Sequence, residues 1–296
     1  MTEQPDNRFA IDRRQLRRNR DLAASSYDGA SMLRREVCGR LLERLDLVRL
    51  NPTGVLDAGC STGQAAASLA RRYRRAGITA LDLSPVMLSL ARSRQGWLRK
   101  FRRICGNLAA LPLADNSHDL VVSSLALHWF ENLDQVFAEF ARVLRPGGLL
   151  SFATFGPDTL KELRQAWSAA DQHNHVNLFV DMHDVGDALM RAGFADPVLD
   201  VEHITVHYRD LPALVADLRN TGESNVTAGR SRGLTGLTRH KTLTKAYEAF
   251  RGPGGLPATY EVVYGHAWAS APVQRTTPDG ETLVPLTRLG RRRRSP

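Results

Sequence analysis

The chain has 296 residues, 43% of them hydrophobic, enough for one large domain with its own core, and no apolar run of the roughly 18 residues that would cross a membrane. Its cysteines, Cys38, Cys60 and Cys105, are far apart and odd in number, which argues against a disulfide framework or a zinc ligand set and suits a reducing cytoplasm. The formal charge of +9 gathers in a cluster of Arg92, Arg94, Arg99, Lys100, Arg102 and Arg103 and in a tail of Arg288 with residues 291–294; no RNP1, helix-turn-helix or C2H2 pattern accompanies it, so neither nucleic acid nor a membrane is an expected partner.

Residues 1–24 are polar and Arg-rich, and a flexible N-terminal segment is expected there rather than a secretory signal; Glu3, Asp6, Asp12 and Asp21 argue against a transit peptide. In residues 31–50, Met32, Leu33, Val37, Leu41, Leu42 and Leu45 recur at helical spacing. The breaker Asn51-Pro52-Thr53-Gly54 then precedes a short strand, Val55-Leu56-Asp57. A helix over 65–73 and a strand over 78–83 follow, then a helix to residue 93 with Ser84 as N-cap and Pro85 in its first turn. Further strands are expected around Ile104, over 119–124 and over 149–154, with a helix over 133–143 and a turn at Arg145-Pro146-Gly147-Gly148. This alternation predicts an α/β fold: a Rossmann-like, doubly wound, mostly parallel sheet with helices on both faces.

Beyond residue 155 the pattern loosens. Helices are expected over 159–170, 185–192, 211–220 and 243–250, and strands over 198–208 and 260–269. The Gly-, Ser-, Thr- and Arg-rich stretch 221–240 reads as a loop or lid. The expected organisation is a flexible segment 1–24, a cofactor-binding core 25–155, a C-terminal part of the same fold with a substrate-cap insertion over 156–270, and a disordered basic tail 271–296.

The strongest chemical signal is Val55-Leu56-Asp57-Ala58-Gly59-Cys60-Ser61-Thr62-Gly63, a glycine-bearing turn between strand and helix where backbone can approach a ligand. Dinucleotide fingerprints open on glycine at this turn, whereas here an acid, Asp57, precedes the glycines. Asp57 would repel a pyrophosphate and attract the cationic amine of an amino-acid moiety. Asp82, at the end of the second strand, can accept hydrogen bonds from a ribose diol, with capping of the next helix as its alternative role. After the third strand, Gly106-Asn107-Leu108 offers an amide for an adenine edge and an apolar side chain for its face.

Over residues 27–155 these motifs resemble the class I S-adenosylmethionine-dependent methyltransferases. The resemblance implies that Asp57, Gly59 and Gly63 cradle the methionine part of S-adenosyl-L-methionine, Asp82 holds the ribose and Asn107 meets the adenine. Tyr27, Ser61, Leu83, Leu108 and Ser124 complete the implied cofactor set. Ser61 stands where the family usually has glycine and Asn107 where it often has aspartate, which implies weaker cofactor binding.

Further motifs resemble the malonyl-acyl-carrier-protein O-methyltransferases of biotin synthesis and extend the match to residues 12–269. They are Ser26-Tyr27-Asp28, Leu33-Arg34-Arg35-Glu36-Val37, Leu125-Ala126-Leu127-His128-Trp129, Phe155-Gly156-Pro157-Asp158-Thr159-Leu160 and Pro257-Ala258-Thr259-Tyr260-Glu261-Val262. Gly222-Glu223-Ser224-Asn225 and residues 257–260 also resemble a mitochondrial complex I assembly factor, thought to hydroxylate an arginine on the same fold. A methyltransferase of small phenols or quinones is a further alternative, and that chemistry usually wants a base. The biotin-pathway resemblance implies methyl esterification of the free carboxylate of malonyl-acyl carrier protein. A carboxyl group of pKa about 4 is already ionised at neutral pH, so no catalytic base is required. It must be desolvated and aligned, which calls for a guanidinium. Arg219 is the favoured anchor, with Arg230 and Arg232 as rivals. Tyr27, His128, Trp129 and Asn225 are expected to line the substrate. Asp171, His173 and His175 lack a matched ligand set, and no metal is expected. The basic cluster over 92–103, or the loop 230–239, is expected to steer an acidic carrier protein toward a monomeric enzyme.

Overall fold

The computed structural model describes residues 10–97, 100–231, 233, 235–270, 275–276 and 282–283. A seven-stranded sheet in the order β3-β2-β1-β4-β5-β7-β6 organises the chain. Its parallel part comprises β1 (Gly54–Ala58), β2 (Gly77–Asp82), β3 (Arg102–Cys105), β4 (His118–Ser124) and β5 (Leu144–Phe155). The long strands β6 (Phe194–Tyr208) and β7 (Leu256–Ala269) pair antiparallel with each other, and β7 pairs antiparallel with β5. Fully buried Val55, Leu56, Val121 and Val122 form the middle of β1 and β4, because a central parallel strand is covered on both faces. Helices supply cover along the sheet: α3 (Gln64–Arg72), α4 (Pro85–Ala91), α5 (Leu133–Val143), α6 (Lys161–Ser168) and α7 (Met182–Arg191), while α8 (Leu211–Asn220) packs on the N-terminal helix and β6 and α9 (Leu237–Glu248) packs on α6. None of the described helices is long and apolar enough to cross a membrane.

The structure departs from the sequence expectation at four places. Residues 13–24, expected to be flexible, belong to α1 (Arg13–Ala30), which Ser31 separates from α2 (Met32–Arg44). The Asp12 carboxylate caps α1 by accepting from Gln15 N at 3.0 Å, and Leu16, Arg20, Ala23, Ala24 and Tyr27 form its buried stripe. A charged residue in that stripe hides the periodicity from a hydropathy reading. Arg145-Pro146-Gly147-Gly148 lies within β5 as a bulge: β4 residues His118 and Leu120 pair with Leu144 and Leu149, and Gly147 takes a φ of 78°. The expected loop 221–240 ends early, because α9 starts at Leu237. Finally, Arg275–Thr276 and Thr282–Leu283 pair antiparallel inside the expected basic tail, the rest of which lies outside the described residues.

Candidate active site

The candidate site lies at the carboxyl ends of β1, β2 and β4, where open α/β sheets bind ligands. Gly59 lines both halves of one groove there. Its φ of 84° is left-handed, and a Cβ would sit 2.3 Å from that of Ala126, so only glycine fits. Gly63 opens α3 at φ 78°, with Ala91 of α4 only 2.8 Å from where its Cβ would be.

One half of the groove is walled by Asp82, Leu83, Gly106, Asn107 and Leu108, and on the opposite side by Leu16 and Arg20 of α1. The buried Asp82 carboxylate is held rigidly, accepting from Ser61 N at 2.8 Å and Ser84 N at 2.9 Å. The Ser84 hydroxyl does the helix capping, accepting from Met87 N, and donates to Asp21 of α1 at 2.5 Å. The Asn107 amide oxygen accepts from Arg13 at 3.1 Å. The other half is lined by Asp57, Ser61 and Ser124, facing Tyr27 and Arg34. Asp57 is 1% exposed, and one of its oxygens has no hydrogen-bond partner among the described residues. Burial, assisted by the nearby Asp82, raises its pKa to about 7. An orphaned, buried carboxylate oxygen at that place fits a cationic amine.

Two arginines that the sequence reading passed over enter this region. The Arg20 guanidinium reaches the Ser61 hydroxyl, lies 3.9 Å from Asp82, and keeps one nitrogen unpartnered among the described residues. Tyr27 donates to Ser61 Oγ at 3.1 Å. Burial pushes the Tyr27 phenol up, but the guanidiniums of Arg34 and Arg20 outweigh it and hold the pKa below its ordinary value. Ser61 has a φ of 50°, the left-handed conformation for which glycine is the usual choice; its side chain, in return, anchors Arg20 and Tyr27.

Arg34 also lines a second cavity of about 220 Å³, enclosed by apolar side chains that include Phe155, Leu163, Trp167, Val176 and Phe179. The guanidinium forms an ion pair with Glu223, with only 10% and 11% of the two side chains exposed, and donates to Leu125 O at 3.2 Å. His128 Nε2 lies 3.3 Å from Glu223 Oε2. Burial, with Arg34 and Arg20 nearby, holds the His128 pKa well below its ordinary value, and a neutral ring can donate its Nε2–H to the carboxylate.

Other expected residues lie in varied places. Trp129 lines the Asn107 half of the groove, not the apolar cavity. Arg219 lines the apolar cavity from its solvent-exposed rim. Arg230 is engaged elsewhere, pairing with Asp12 at 3.2 Å, and Arg232 lies outside the described residues. Asn225 lines the cavity with its amide committed to the loop, donating to Asn174 O at 2.7 Å and accepting from Thr227 N at 2.9 Å. Asp171 pairs with His175 at 2.7 Å, and that ring stacks on Trp167 at 3.5 Å, making it a cavity wall. Arg34 stands inside a motif that carries the family resemblance, and Glu223 inside the one shared with the assembly factor, which are the signals that could have singled them out.

A family model described as a methyltransferase domain matches residues 56–152. A malonyl-[acyl-carrier protein] O-methyltransferase of Laribacter hongkongensis is 52% identical over 285 residues, covering 93% of this chain and 96% of that protein. A protein of the same name from Halorhodospira halophila is 47% identical, covering 98% and 99%. Among solved structures, the YcgJ protein of Bacillus subtilis superposes with a TM-score of 0.58 at 14% identity, over 80% of this chain and 99% of that one. An S-adenosylmethionine-dependent methyltransferase from Thermotoga maritima does so with a TM-score of 0.53 at 16% identity, over 86% and 100%. These structural likenesses are of fold.

Proposed function

The chain belongs to the family of malonyl-[acyl-carrier protein] O-methyltransferases, and we propose that it converts the free carboxylate of malonyl-acyl carrier protein to its methyl ester, a step of biotin synthesis. S-Adenosyl-L-methionine, when bound, supplies an electrophilic methyl group on a sulfonium. Asp57 takes the amine of its amino-acid part, Arg20 and Ser61 its carboxylate, Asp82 the ribose hydroxyls, and Asn107 with Leu108 the adenine. The observation that carries the reading is the buried Arg34, which lines both the Asp57 half of the groove and the apolar cavity.

A guanidinium at that junction can hold a carboxylate at the end of an acyl chain and deliver it to the methyl-donor side of the groove. Apolar walls remove water from the anion and strengthen the contact. The nucleophile is already ionised, so the chain need move no proton. A phenol methyltransferase would need a base in the cavity, and His128 is committed to Glu223. Arg34 takes precedence over Arg219 as anchor because a rim arginine stays solvated. We place the reaction in the cytoplasm, with a monomeric enzyme and an acidic carrier protein drawn to its basic surface. Incubation with malonyl- and acetyl-acyl carrier protein, followed by intact mass, tests the reading. A gain of one methylene on the malonyl form alone is expected; no gain by either form overturns it.

A further inference from the structure

Esterification destroys a negative charge, and Arg34 already has a second carboxylate beside it. We propose that Glu223 is a built-in substitute for the substrate carboxylate: it holds Arg34 while the apolar cavity is empty or contains ester, and releases it only to an incoming malonyl carboxylate. This inference rests on the methyl-transfer reading above. Glu223 and Arg34 both line the cavity and form their ion pair almost out of contact with water. The Glu223 backbone is fixed just after the left-handed Gly222, its N–H donating to Leu218 O at 2.7 Å, while its side chain keeps its rotatable bonds. His128 gives the Glu223 carboxylate a second donor to retain once Arg34 turns away. Asp217, the other acid in the cavity, is engaged by the Tyr208 hydroxyl at 2.8 Å and is not the exchanging group.

Exchange accounts for direction and for selectivity. A thioester without a terminal carboxylate cannot displace Glu223, since a neutral group does not compete for a buried guanidinium. The methyl ester loses the same competition as soon as it forms, so recapture of Arg34 by Glu223 promotes its departure. Glu223 is thus a positioning and specificity residue that acts through Arg34.

The Glu223→Gln variant keeps the side-chain length and an acceptor for His128 but removes the competing charge. Binding of malonyl-pantetheine and of its methyl ester to the full chain loaded with S-adenosylhomocysteine is measured by calorimetry. The Kd for malonyl-pantetheine is expected to fall about tenfold relative to that of the ester, the size of one charge-assisted contact. An unchanged or smaller preference for the malonyl form overturns the proposal and leaves Glu223 as a support for Arg34. If Glu223→Gln does not fold, Glu223→Asp keeps the charge at shorter reach; a smaller shift in the same direction is expected, and a weaker malonyl preference overturns the idea. Wild-type methylation of malonyl-acyl carrier protein is scored separately. Its failure beside a shifted binding preference removes the reaction and leaves the exchange standing.

Discussion

Arg34 and Glu223 carry opposite charges into a region where an unpaired charge is expensive, so each stabilises the fold chiefly through the other. Arg34→Ala, which strands a buried carboxylate, is expected to lower unfolding free energy by about 3–5 kcal/mol. Arg34→Met combined with Glu223→Leu removes both charges and should recover most of that loss. Urea unfolding of the single and double variants measures the coupling, and strict additivity would contradict a buried pair. Asp57 makes a prediction in pH. Burial sets its folded pKa at about 7, above the ordinary 3.8, so between those values the folded state holds a proton that the unfolded chain has released. Its contribution to stability is therefore full at low pH and is lost as pH rises through about 7. Cofactor binding wants the ionised form and should tighten over the same range. In Asp57→Asn, calorimetry should find weak binding with a flattened pH dependence, and thermal melts should show the stability slope reduced.

Helix α1 closes the groove from the side opposite the sheet, and polar contacts add to the hold of its buried stripe. Asp12 caps it and pairs with Arg230, Ser84 holds Asp21, and the Ser26 hydroxyl donates to Asn220 O at 3.1 Å. Asp12→Ala should cost about 1 kcal/mol through the lost cap and let the first turn fray. Arg20→Ala, in the groove wall, is expected to weaken S-adenosylmethionine binding about tenfold, the size of a charge-assisted contact. Limited trypsin digestion checks the element as a whole. Cofactor should protect the Arg-rich α1 in the wild type and protect it less in either variant, and equal protection in all of them would remove α1 from the binding site.

For the whole molecule, the relevant quantity is charge. A formal +9 favours encounter with an acidic carrier, and such steering is screened over about 8–10 Å at physiological salt. Raising salt from about 50 to about 500 mM should lower kcat/KM for malonyl-acyl carrier protein several-fold, because long-range attraction is screened, and leave that for malonyl-pantetheine nearly unchanged. Equal salt dependence for the two substrates would confine recognition to the pantetheine arm.

The α/β alternation and the cofactor turn were legible in the residues alone. The first rests on apolar periodicity and the second on local backbone demands: a left-handed glycine at 59, an acid at the end of a strand, a Ser-Pro helix start. Also legible was that Asp82 and Asn107 would meet at one groove, since parallel strands in sequential βαβ units present their carboxyl ends together. Which arginines are withdrawn from solvent emerged only in the folded chain. Arg20, Arg34 and Arg219 look alike in a sequence, where a charged residue reads as solvated. Burial separates them, and burial depends on α1 and α2 folding back over the sheet and on the loop after α8 bringing Glu223 to Arg34. Those contacts join residues far apart in the chain, which no local pattern encodes.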